Sequence, residues 1–261
     1  MALSRFSIDG RVALVTGGSR GIGHAIALIF AEAGADVVIT SRTLSELEKA
    51  AEKIRAKGRR CLAVVCDIGK KEDLENLVER VKVEFGRIDI LVNNAGILPY
   101  GGPLIDAEEK IWDANMDINL KAPFLLSQLV ARIMREQGGG SIINISSVGG
   151  LRPGPLNIYG VAKAGLLMLT QYMSKEWGQH NIRANTIIPG LIRTRMTEDW
   201  WKEPGRPEQM LKKRALVGRV GMPEDVAGTA LLLASDASSY ITGESILVDG
   251  GSFAGPPLFP S

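Results

Sequence analysis

The sequence has few of the residues that bind metal ions or form disulfides. Its 261 residues include only two cysteines and two histidines. Cys61 and Cys66 flank an apolar run that is typical of a strand, and their odd separation places them on opposite faces, so we expect no disulfide between them. His24 and His180 are isolated and lack the spacing of metal ligands. The sequence therefore predicts buried, reduced thiols, a reducing compartment such as the cytoplasm, and no metal site.

Long apolar runs and a strong excess of charge are also missing. No run is long enough to span a membrane, and the N-terminus has no apolar signal core. The net charge is +2, and the basic residues are dispersed apart from short clusters at 59–60 and 212–214. This pattern predicts neither a nucleic-acid partner nor a membrane partner.

Short apolar runs rich in β-branched residues alternate with longer amphipathic segments along the chain. The runs are continuously apolar, which is typical of parallel strands covered by helices on both faces. The pattern predicts one doubly wound α/β domain of the Rossmann type over residues 1–261, with a parallel seven-stranded sheet. The predicted strands are 12–16, 36–40, 61–65, 88–92, 141–145, 183–188 and 245–248. The predicted helices are 22–33, 45–56, 71–85, 107–135, 159–177 and 224–234.

One segment interrupts this alternation. Residues 195–221 contain Trp200 and Trp201, two prolines and several charged residues. Such an excursion is either a lid over a site or a peripheral packing element, and the sequence leaves both interpretations open.

A glycine-rich turn follows the first predicted strand and opens the first predicted helix. Its glycines permit a tight turn and a close approach of the backbone to a phosphate, and the helix N-terminus offers free N–H groups to an anion. A P-loop is excluded because the Gly-Lys-Ser/Thr ending is missing. The turn therefore predicts a dinucleotide site. The residues assigned to it are Gly17, Ser19, Arg20, Gly21, Ile22 and Gly23.

The end of the second predicted strand bears on the choice of dinucleotide. An acidic residue there would bind the ribose 2′-hydroxyl of NAD(H) and repel a 2′-phosphate. This strand ends instead in Ser41-Arg42, and Arg20 lies in the glycine turn. Two guanidinium groups can hold a phosphate dianion, so the sequence predicts NADP(H).

Tyr159 and Lys163 are four residues apart in a predicted helix. At this spacing the two side chains share one face. A free phenol has a pKa of about 10, and a nearby cation lowers it. Tyr159 could then act as a general acid or base near neutral pH. Such a pair alone is more often an ordinary surface contact, so the other motifs decide.

Taken together, the motifs make the chain resemble the classical short-chain dehydrogenase/reductase family. They are residues 16–23, Asn93-Asn94-Ala95-Gly96, Asn119, Asn144-Ile-Ser-Ser, Tyr159-x-x-x-Lys163 and Pro189-Gly190-Leu-Ile-Arg-Thr194. The resemblance covers about residues 9–251. Within the family, the chain is similar to NADP(H)-dependent 3-oxoacyl-[acyl-carrier-protein] reductases and carbonyl reductases. It implies an oxidoreductase that transfers a hydride between NADP(H) and a carbonyl or secondary alcohol.

The resemblance also implies roles for individual residues at the cofactor. Asp67 would contact the adenine amino group, with Ile68 beside it. Ile192 and Thr194 would hold the nicotinamide carboxamide and a nearby phosphate. The remaining cofactor residues that it implies are Asn93, Ala95, Gly96, Pro189 and Gly190.

The resemblance implies that Tyr159 is the acid in reduction and the base in oxidation. Lys163 would lower the pKa of Tyr159 and bind the nicotinamide ribose hydroxyls. Asn119 would hold a water molecule that links Lys163 to bulk solvent.

The substrate-polarising serine has two candidates. The usual spacing between this serine and the catalytic tyrosine in the family indicates Ser146. In the family's strand ending Asn-x-Ser-Ser, however, the serine is the second of the two, which indicates Ser147. Strand register is harder to shift than loop length, because a slip turns every side chain to the other face. We therefore predict that Ser147 is the substrate-polarising serine, and that the loop between it and Tyr159 is one residue shorter than is usual in the family.

The substrate and the assembly stay open. The sequence is compatible with a 3-oxoacyl thioester reductase, a ketone or aldehyde reductase, or a sugar or polyol dehydrogenase. Trp200 and Trp201 could wall an apolar pocket. The basic residues Lys202, Lys212, Lys213 and Arg214 could instead meet an anionic carrier. A rival interpretation is a catalytically idle NADP(H)-binding redox sensor or scaffold. The resemblance implies a homotetramer, and the tail 253–261 could reach a neighbouring subunit or be disordered.

Overall fold

The computed structural model describes residues 3–201 and 215–255, without the side chains of Leu3 and residues 199–201. Seven strands form one sheet in the order β3-β2-β1-β4-β5-β6-β7, and each neighbouring pair is parallel. The predicted doubly wound fold is confirmed. The strands are β1 Val12–Thr16, β2 Asp36–Ser41, β3 Cys61–Val65, β4 Ile90–Asn93, β5 Gly140–Ile145, β6 Ile182–Pro189 and β7 Ser245–Val248.

Helices cover both faces of the sheet and divide the hydrophobic core in two. One cluster packs α1, α2 and α7 against the sheet through residues such as Phe30, Leu47 and Leu233. The other packs α3, α5 and α6 through residues such as Leu74 and Val130. The helices are α1 Gly21–Glu32, α2 Leu44–Arg55, α3 Lys71–Phe85, α4 Glu109–Met116, α5 Ala122–Glu136, α6 Asn157–Trp177 and α7 Pro223–Ala234.

The helix predicted over 107–135 is present over 109–136, but it is not one regular α-helix. The chain forms α4, then a π-helical turn at Asp117–Lys121, then α5. Pro123 has no N–H to donate to the carbonyl of Asn119 four residues earlier, so a regular α-helix cannot continue there. A π-helical turn accommodates the break and often accompanies a functional site. It places Asn119 on the inside, fully buried.

The fold brings the loops after β1 to β6 to one edge of the sheet. The strand order reverses between β1 and β4, and ligands of open α/β sheets bind outside the carboxyl ends of the strands at such a point. Of the segment 195–221, residues Arg195–Trp201 form a 3₁₀ helix. The residues Lys202, Lys212, Lys213 and Arg214, and the side chains of Trp200 and Trp201, lie outside the described part of the chain. Within the described residues, no helix is long and apolar enough to cross a membrane.

Candidate active site

A cavity of about 1690 Å³ opens at the carboxyl edge of the sheet. Typical ligand pockets occupy roughly 300–1,000 Å³, so this cavity has room for a dinucleotide and a second molecule. Its walls come from the loops that follow β1 to β6, from the start of α6 and from the segment after β7.

The glycine turn after β1 is built for a close approach of the backbone to a ligand. Gly17 and Gly21 have φ of +65° and +58°, which favour glycine. A Cβ added at Gly17 would lie 2.9 Å from Asn94 Nδ2, and that amide donates to the carbonyl of Thr16 at 2.9 Å. No side chain caps the N-terminus of α1, so its first N–H groups remain available to an anion.

Most of the residues predicted to bind the cofactor line this one cavity. Gly23, Asn93 and Asn119 are not among its lining residues. The predicted residues that line it are Gly17, Ser19, Arg20, Gly21, Ile22, Ser41, Arg42, Asp67, Ile68, Ala95, Gly96, Ser147, Tyr159, Lys163, Pro189, Gly190, Ile192 and Thr194.

The expectation that Asn93 lines the cofactor cleft is wrong. Its side chain is buried and donates to Ser127 Oγ at 2.9 Å and to Asn144 Oδ1 at 2.8 Å. Asn93 therefore ties β4 to β5 and α5. Gly23 lies against the Gly17 carbonyl and the Asn94 amide, where a Cβ would not fit, so it packs α1 onto the glycine turn.

At the far end of the cavity, the two predicted phosphate-binding arginines have different surroundings. Arg20 forms an ion pair with Glu46, with Nη1 3.0 Å from Oε2. Arg195 approaches the same carboxylate at 3.2 Å. Arg42 is exposed, and no ion pair links it to another residue of the described chain. Of the three arginines at this end, Arg42 is therefore the one that no described carboxylate pairs with.

Ser147 and Tyr159 meet on the cavity wall beside Lys163. Ser147 follows β5, and its hydroxyl lies near enough to the Tyr159 hydroxyl to oppose the rise in the pKa of that phenol. The Ser147 oxygen also accepts the Gly149 N–H at 3.1 Å. Lys163 is buried, its Nζ donates to the carbonyl of Ile145 at 2.9 Å, and it lies 5.6 Å from the centre of the Tyr159 ring. The three side chains form a compact polar centre.

Two glycines allow this centre to form. A Cβ on Gly150 would lie 2.8 Å from the backbone of Lys163, and a Cβ on Gly160 would lie 2.6 Å from the Gly149 carbonyl. A larger residue at either position would push the turn after β5 away from α6. The glycines thereby hold Ser147 within reach of Tyr159.

Ser146 faces away from this centre. Its side chain is buried, and its Oγ donates to the backbone carbonyl of Lys163 at 3.0 Å. Ser146 also lines the cavity, but the Ser146 hydroxyl donates its hydrogen to a backbone carbonyl of α6. Adjacent residues of an extended segment point in opposite directions, which explains why the two serines differ.

Burial shifts the pKa values of both members of the tyrosine–lysine pair. It lowers the pKa of Lys163 to about 8 and raises the pKa of Tyr159 to about 12, with the Ser147 hydrogen bond opposing the second shift. The expected lowering of the Tyr159 pKa by Lys163 is therefore wrong for this arrangement. Desolvation of the phenol outweighs the ammonium, whose Nζ donates to Ile145 rather than to the phenol oxygen.

The pH dependence of stability is expected to report the burial of Lys163. Between pH 8 and 10.5 Lys163 binds a proton in the unfolded chain but not in the native protein, so this residue alone makes the free energy of unfolding rise with pH. Its two pKa values differ by the equivalent of roughly 3 kcal/mol. The raised pKa values of Cys61, Cys66 and Tyr159 act in the opposite direction in both wild type and a Lys163 variant. Lys163→Met should therefore make the free energy of unfolding change less favourably between about pH 7.5 and pH 10 than it does in wild type, as measured by urea unfolding. An equal change in both proteins would contradict the prediction.

Asn119 lies behind the cavity wall and holds the loop after β4 in place through hydrogen bonds. Its Nδ2 donates to the carbonyl of Ile97 at 3.0 Å and to Asn115 Oδ1 at 3.2 Å, and its Oδ1 accepts the Ile97 N–H at 3.2 Å. A Cβ on Gly96 would lie 2.7 Å from Asn119 Oδ1 and 3.8 Å from Lys163 Nζ. Gly96 thus separates the two side chains, and Asn119 fixes the loop that carries it.

Sequence reasoning missed several lining residues near the catalytic centre. Arg152 and Leu156 come from the loop before α6, and Asp249 and Ser252 come from the segment after β7. The only sequence sign of the first pair was a proline- and glycine-rich loop placed between Ser147 and Tyr159. Among the described residues, no cluster of His, Cys, Asp and Glu could hold a metal ion. Cys61 and Cys66 are buried and unpaired.

The fold and the cavity define a dinucleotide-binding protein with a serine–tyrosine–lysine centre. The chain matches the family described as Enoyl-(Acyl carrier protein) reductase over residues 17–252. It is 41% identical over 251 residues to dehydrogenase/reductase SDR family member 4 of Bos taurus, covering 96% of this chain and 90% of that protein. It is 40% identical over 259 residues to the 2-dehydro-3-deoxy-D-gluconate 5-dehydrogenase of Dickeya dadantii, covering 97% and 100%.

Solved structures agree with these relatives. A gluconate 5-dehydrogenase from Burkholderia cenocepacia J2315, in complex with NADP and tartrate, superposes with a TM-score of 0.92 at 37% identity, covering 98% of this chain and 100% of that chain. The chain therefore belongs to the short-chain dehydrogenase/reductase family. It is an oxidoreductase of the class that acts on CH–OH and C=O groups.

Proposed function

We propose that the protein reduces a carbonyl compound, or oxidises the corresponding secondary alcohol, with NADP(H) as cofactor and Tyr159 as proton donor or acceptor. The observation that carries the proposal is the placement of the Ser147 and Tyr159 side chains on one cavity wall beside Lys163, whose Nζ lies 5.6 Å from the centre of the Tyr159 ring. Two hydroxyls directed at one point of a cavity wall can both reach one substrate oxygen.

The cavity suits the cofactor at several points. The uncapped N-terminus of α1 and the positive-φ glycines Gly17 and Gly21 fit a diphosphate. Asp67 and Ile68 line the cavity where they would meet the adenine, and Ile192 and Thr194 line it as well, with Thr194 lying against Gly21 of the glycine turn. When bound, NADP(H) supplies or accepts the hydride, while the protein orients the reactants and handles the proton.

The protonation states of the centre favour Tyr159 as an acid. A phenol with a pKa of about 12 keeps its proton at neutral pH and can donate it to a developing alkoxide. Lys163, with a pKa of about 8, remains mostly charged near pH 7 and stabilises the tyrosinate that forms. Ser147 donates a hydrogen bond to the same substrate oxygen and fixes its position.

Proton supply to this centre is proposed to pass by Lys163 and Asn119. Asn119 Oδ1 uses one of its two acceptor positions for Ile97, so one remains for a relay water. Gly96 leaves space between this oxygen and Lys163. Asn119 thus also positions the Ile97 backbone that forms the wall of the relay.

Arg42 is expected to set the preference for NADP(H) over NAD(H). Its guanidinium is exposed at the adenosine end, whereas Arg20 is already paired with Glu46. Removing a charge-assisted contact with a phosphate costs roughly tenfold to a hundredfold in affinity. Arg42→Ala should therefore lower kcat/KM for NADPH by about that factor and leave kcat/KM for NADH nearly unchanged. An equal loss with both cofactors would contradict this role.

Sugar acids are the substrate class that the relatives favour. Two of the similar proteins are named as dehydrogenases of gluconate or of a deoxygluconate derivative. A panel of sugar acids, polyols, ketones, aldehydes and a 3-oxoacyl thioester, assayed by NADPH and NADH absorbance, tests the proposed function. Turnover of at least one member supports it. Binding of NADPH without turnover of any member would favour an idle sensor or scaffold.

A homotetramer in the cytoplasm is the proposed state of the protein. Val161, Met168 and Tyr172 are 48%, 54% and 56% exposed, and their spacing places them on one face of α6. An apolar face of this kind is commonly covered by a partner subunit. Two buried cysteines that form no disulfide suit a reducing compartment. Sedimentation velocity should show a tetramer, and a monomer would contradict the assembly.

A further inference from the structure

Another arginine lines the cavity, in the loop between the two halves of the catalytic centre. Arg152 lies in the loop that connects the turn after Ser147 to the start of α6, which carries Tyr159. Its neighbours in that loop, from Pro153 to Leu156, line the same cavity. The chain therefore places a guanidinium group on the wall that Ser147 and Tyr159 share.

The segment after β7 holds this guanidinium in place. Arg152 Nη2 donates to the carbonyl of Ser252 at 3.3 Å, and the guanidinium lies over the Phe253 ring, 5.0 Å from its centre. Asp249 stabilises that segment, because its carboxylate accepts the Gly251 N–H at 2.9 Å and the Phe253 N–H at 2.7 Å. A stacked and hydrogen-bonded arginine loses less conformational freedom on binding a ligand than a free one.

The charge of Arg152 is not balanced by a neighbouring acid. Within the described chain, no carboxylate forms an ion pair with it, and one of its five N–H groups is used. The acids on the same side of the cavity are engaged elsewhere. Asp249 binds the backbone of its own turn, and Asp225 pairs with Arg219 at 2.6 Å. Four donors of Arg152 therefore remain for a ligand.

We propose that Arg152 binds the carboxylate of the substrate and makes the enzyme selective for hydroxy acids and oxo acids over neutral alcohols. The planar guanidinium matches a carboxylate in a two-point contact, which neither Ser147 nor Tyr159 can provide. This inference rests on the proposed function, since it names the substrate class of the same site. Phe253, Ser252 and Asp249 act by positioning the guanidinium.

Binding of a matched pair of small molecules tests the proposal without turnover. Tartrate carries two carboxylates, and threitol has the same carbon skeleton with hydroxymethyl groups in their place. Calorimetry with the full chain and saturating NADP⁺ should show that wild type binds tartrate at least about ten times more tightly than threitol. Arg152→Gln should weaken tartrate binding by roughly tenfold to a hundredfold and leave threitol binding unchanged.

Further variants separate a local contact from a change in net charge. Arg80→Gln removes an exposed arginine of α3 that does not line the cavity, and it should bind tartrate like wild type. Arg152→Lys keeps the charge without the planar fork and should bind with intermediate affinity. Phe253→Leu should weaken tartrate binding by about two- to fivefold, since it removes the stacked ring.

Several outcomes would overturn the role of Arg152. They are unchanged tartrate affinity in Arg152→Gln, equal affinity of wild type for tartrate and threitol, and no tartrate binding at millimolar concentration. A loss of NADP⁺ affinity in Arg152→Gln without a loss for tartrate would assign the residue to the cofactor instead. The proposed function fails independently, by absence of turnover across the substrate panel.

Discussion

Tyr159→Phe is expected to lower kcat by about 10³-fold while leaving the affinity for NADPH within about twofold of wild type. General acid–base catalysis contributes roughly 10²–10⁴-fold, and this substitution removes the only atom of the side chain that can carry the proton. The ring stays in place, so the packing of α6 and the cavity wall is preserved. Steady-state kinetics, with NADPH binding followed by fluorescence titration, measures both quantities.

The control for this variant is Tyr240→Phe. Tyr240 is fully exposed and is not among the residues that line the cavity. It loses the same hydroxyl, and its activity should equal that of wild type. Retention of more than about a tenth of wild-type kcat by Tyr159→Phe would mean that another group transfers the proton.

The two adjacent serines are expected to give opposite results. Ser147→Ala should lower kcat by about 10²-fold, because it removes a hydrogen-bond donor directed at the substrate oxygen. Ser146→Ala should leave kcat within about threefold of wild type. It should instead lower the free energy of unfolding by about 1–2 kcal/mol, since the carbonyl of Lys163 loses its buried donor. Kinetics and urea unfolding of both variants provide the comparison.

The pair of variants controls for itself, since both remove one hydroxyl from neighbouring positions. A large loss of kcat in Ser146→Ala with little change in Ser147→Ala would reverse the assignment. Ser147→Thr, which keeps the hydroxyl, should recover part of the activity if the cavity accommodates the added methyl group.

Much of the fold could be predicted because local pattern and tertiary environment agree. The strands 12–16, 61–65 and 245–248 match the structure at both ends, since each is a short apolar run bounded by turn residues. The π-helical turn inside the helix predicted over 107–135 was not predicted, because the apolar periodicity continues through that break. Pro123 was the sign of that break, and its consequence for Asn119 depends on the geometry of the π-helical turn.

Most residues of the site could be predicted from the sequence, but the pKa of the catalytic tyrosine could not. Glycine spacing and strand ends place ligand-binding residues at one edge of a parallel sheet, which is why most of the predicted set shares a cavity. The pKa of Tyr159 depends on how deeply the phenol is buried and on where Lys163 Nζ donates, and neither follows from a spacing of four residues. Arg152 was missed because its hydrogen-bond partner Ser252 is 100 positions away in the chain.

The central claim is that the chain couples oxidation of NADPH to reduction of a carbonyl group. The most direct test measures NADPH consumed and alcohol formed in the same reaction, using the wild-type chain and the best substrate of the panel. The account predicts one alcohol for each NADPH oxidised. Consumption of NADPH without alcohol, or binding of NADPH with neither consumption nor product across the panel, would contradict it.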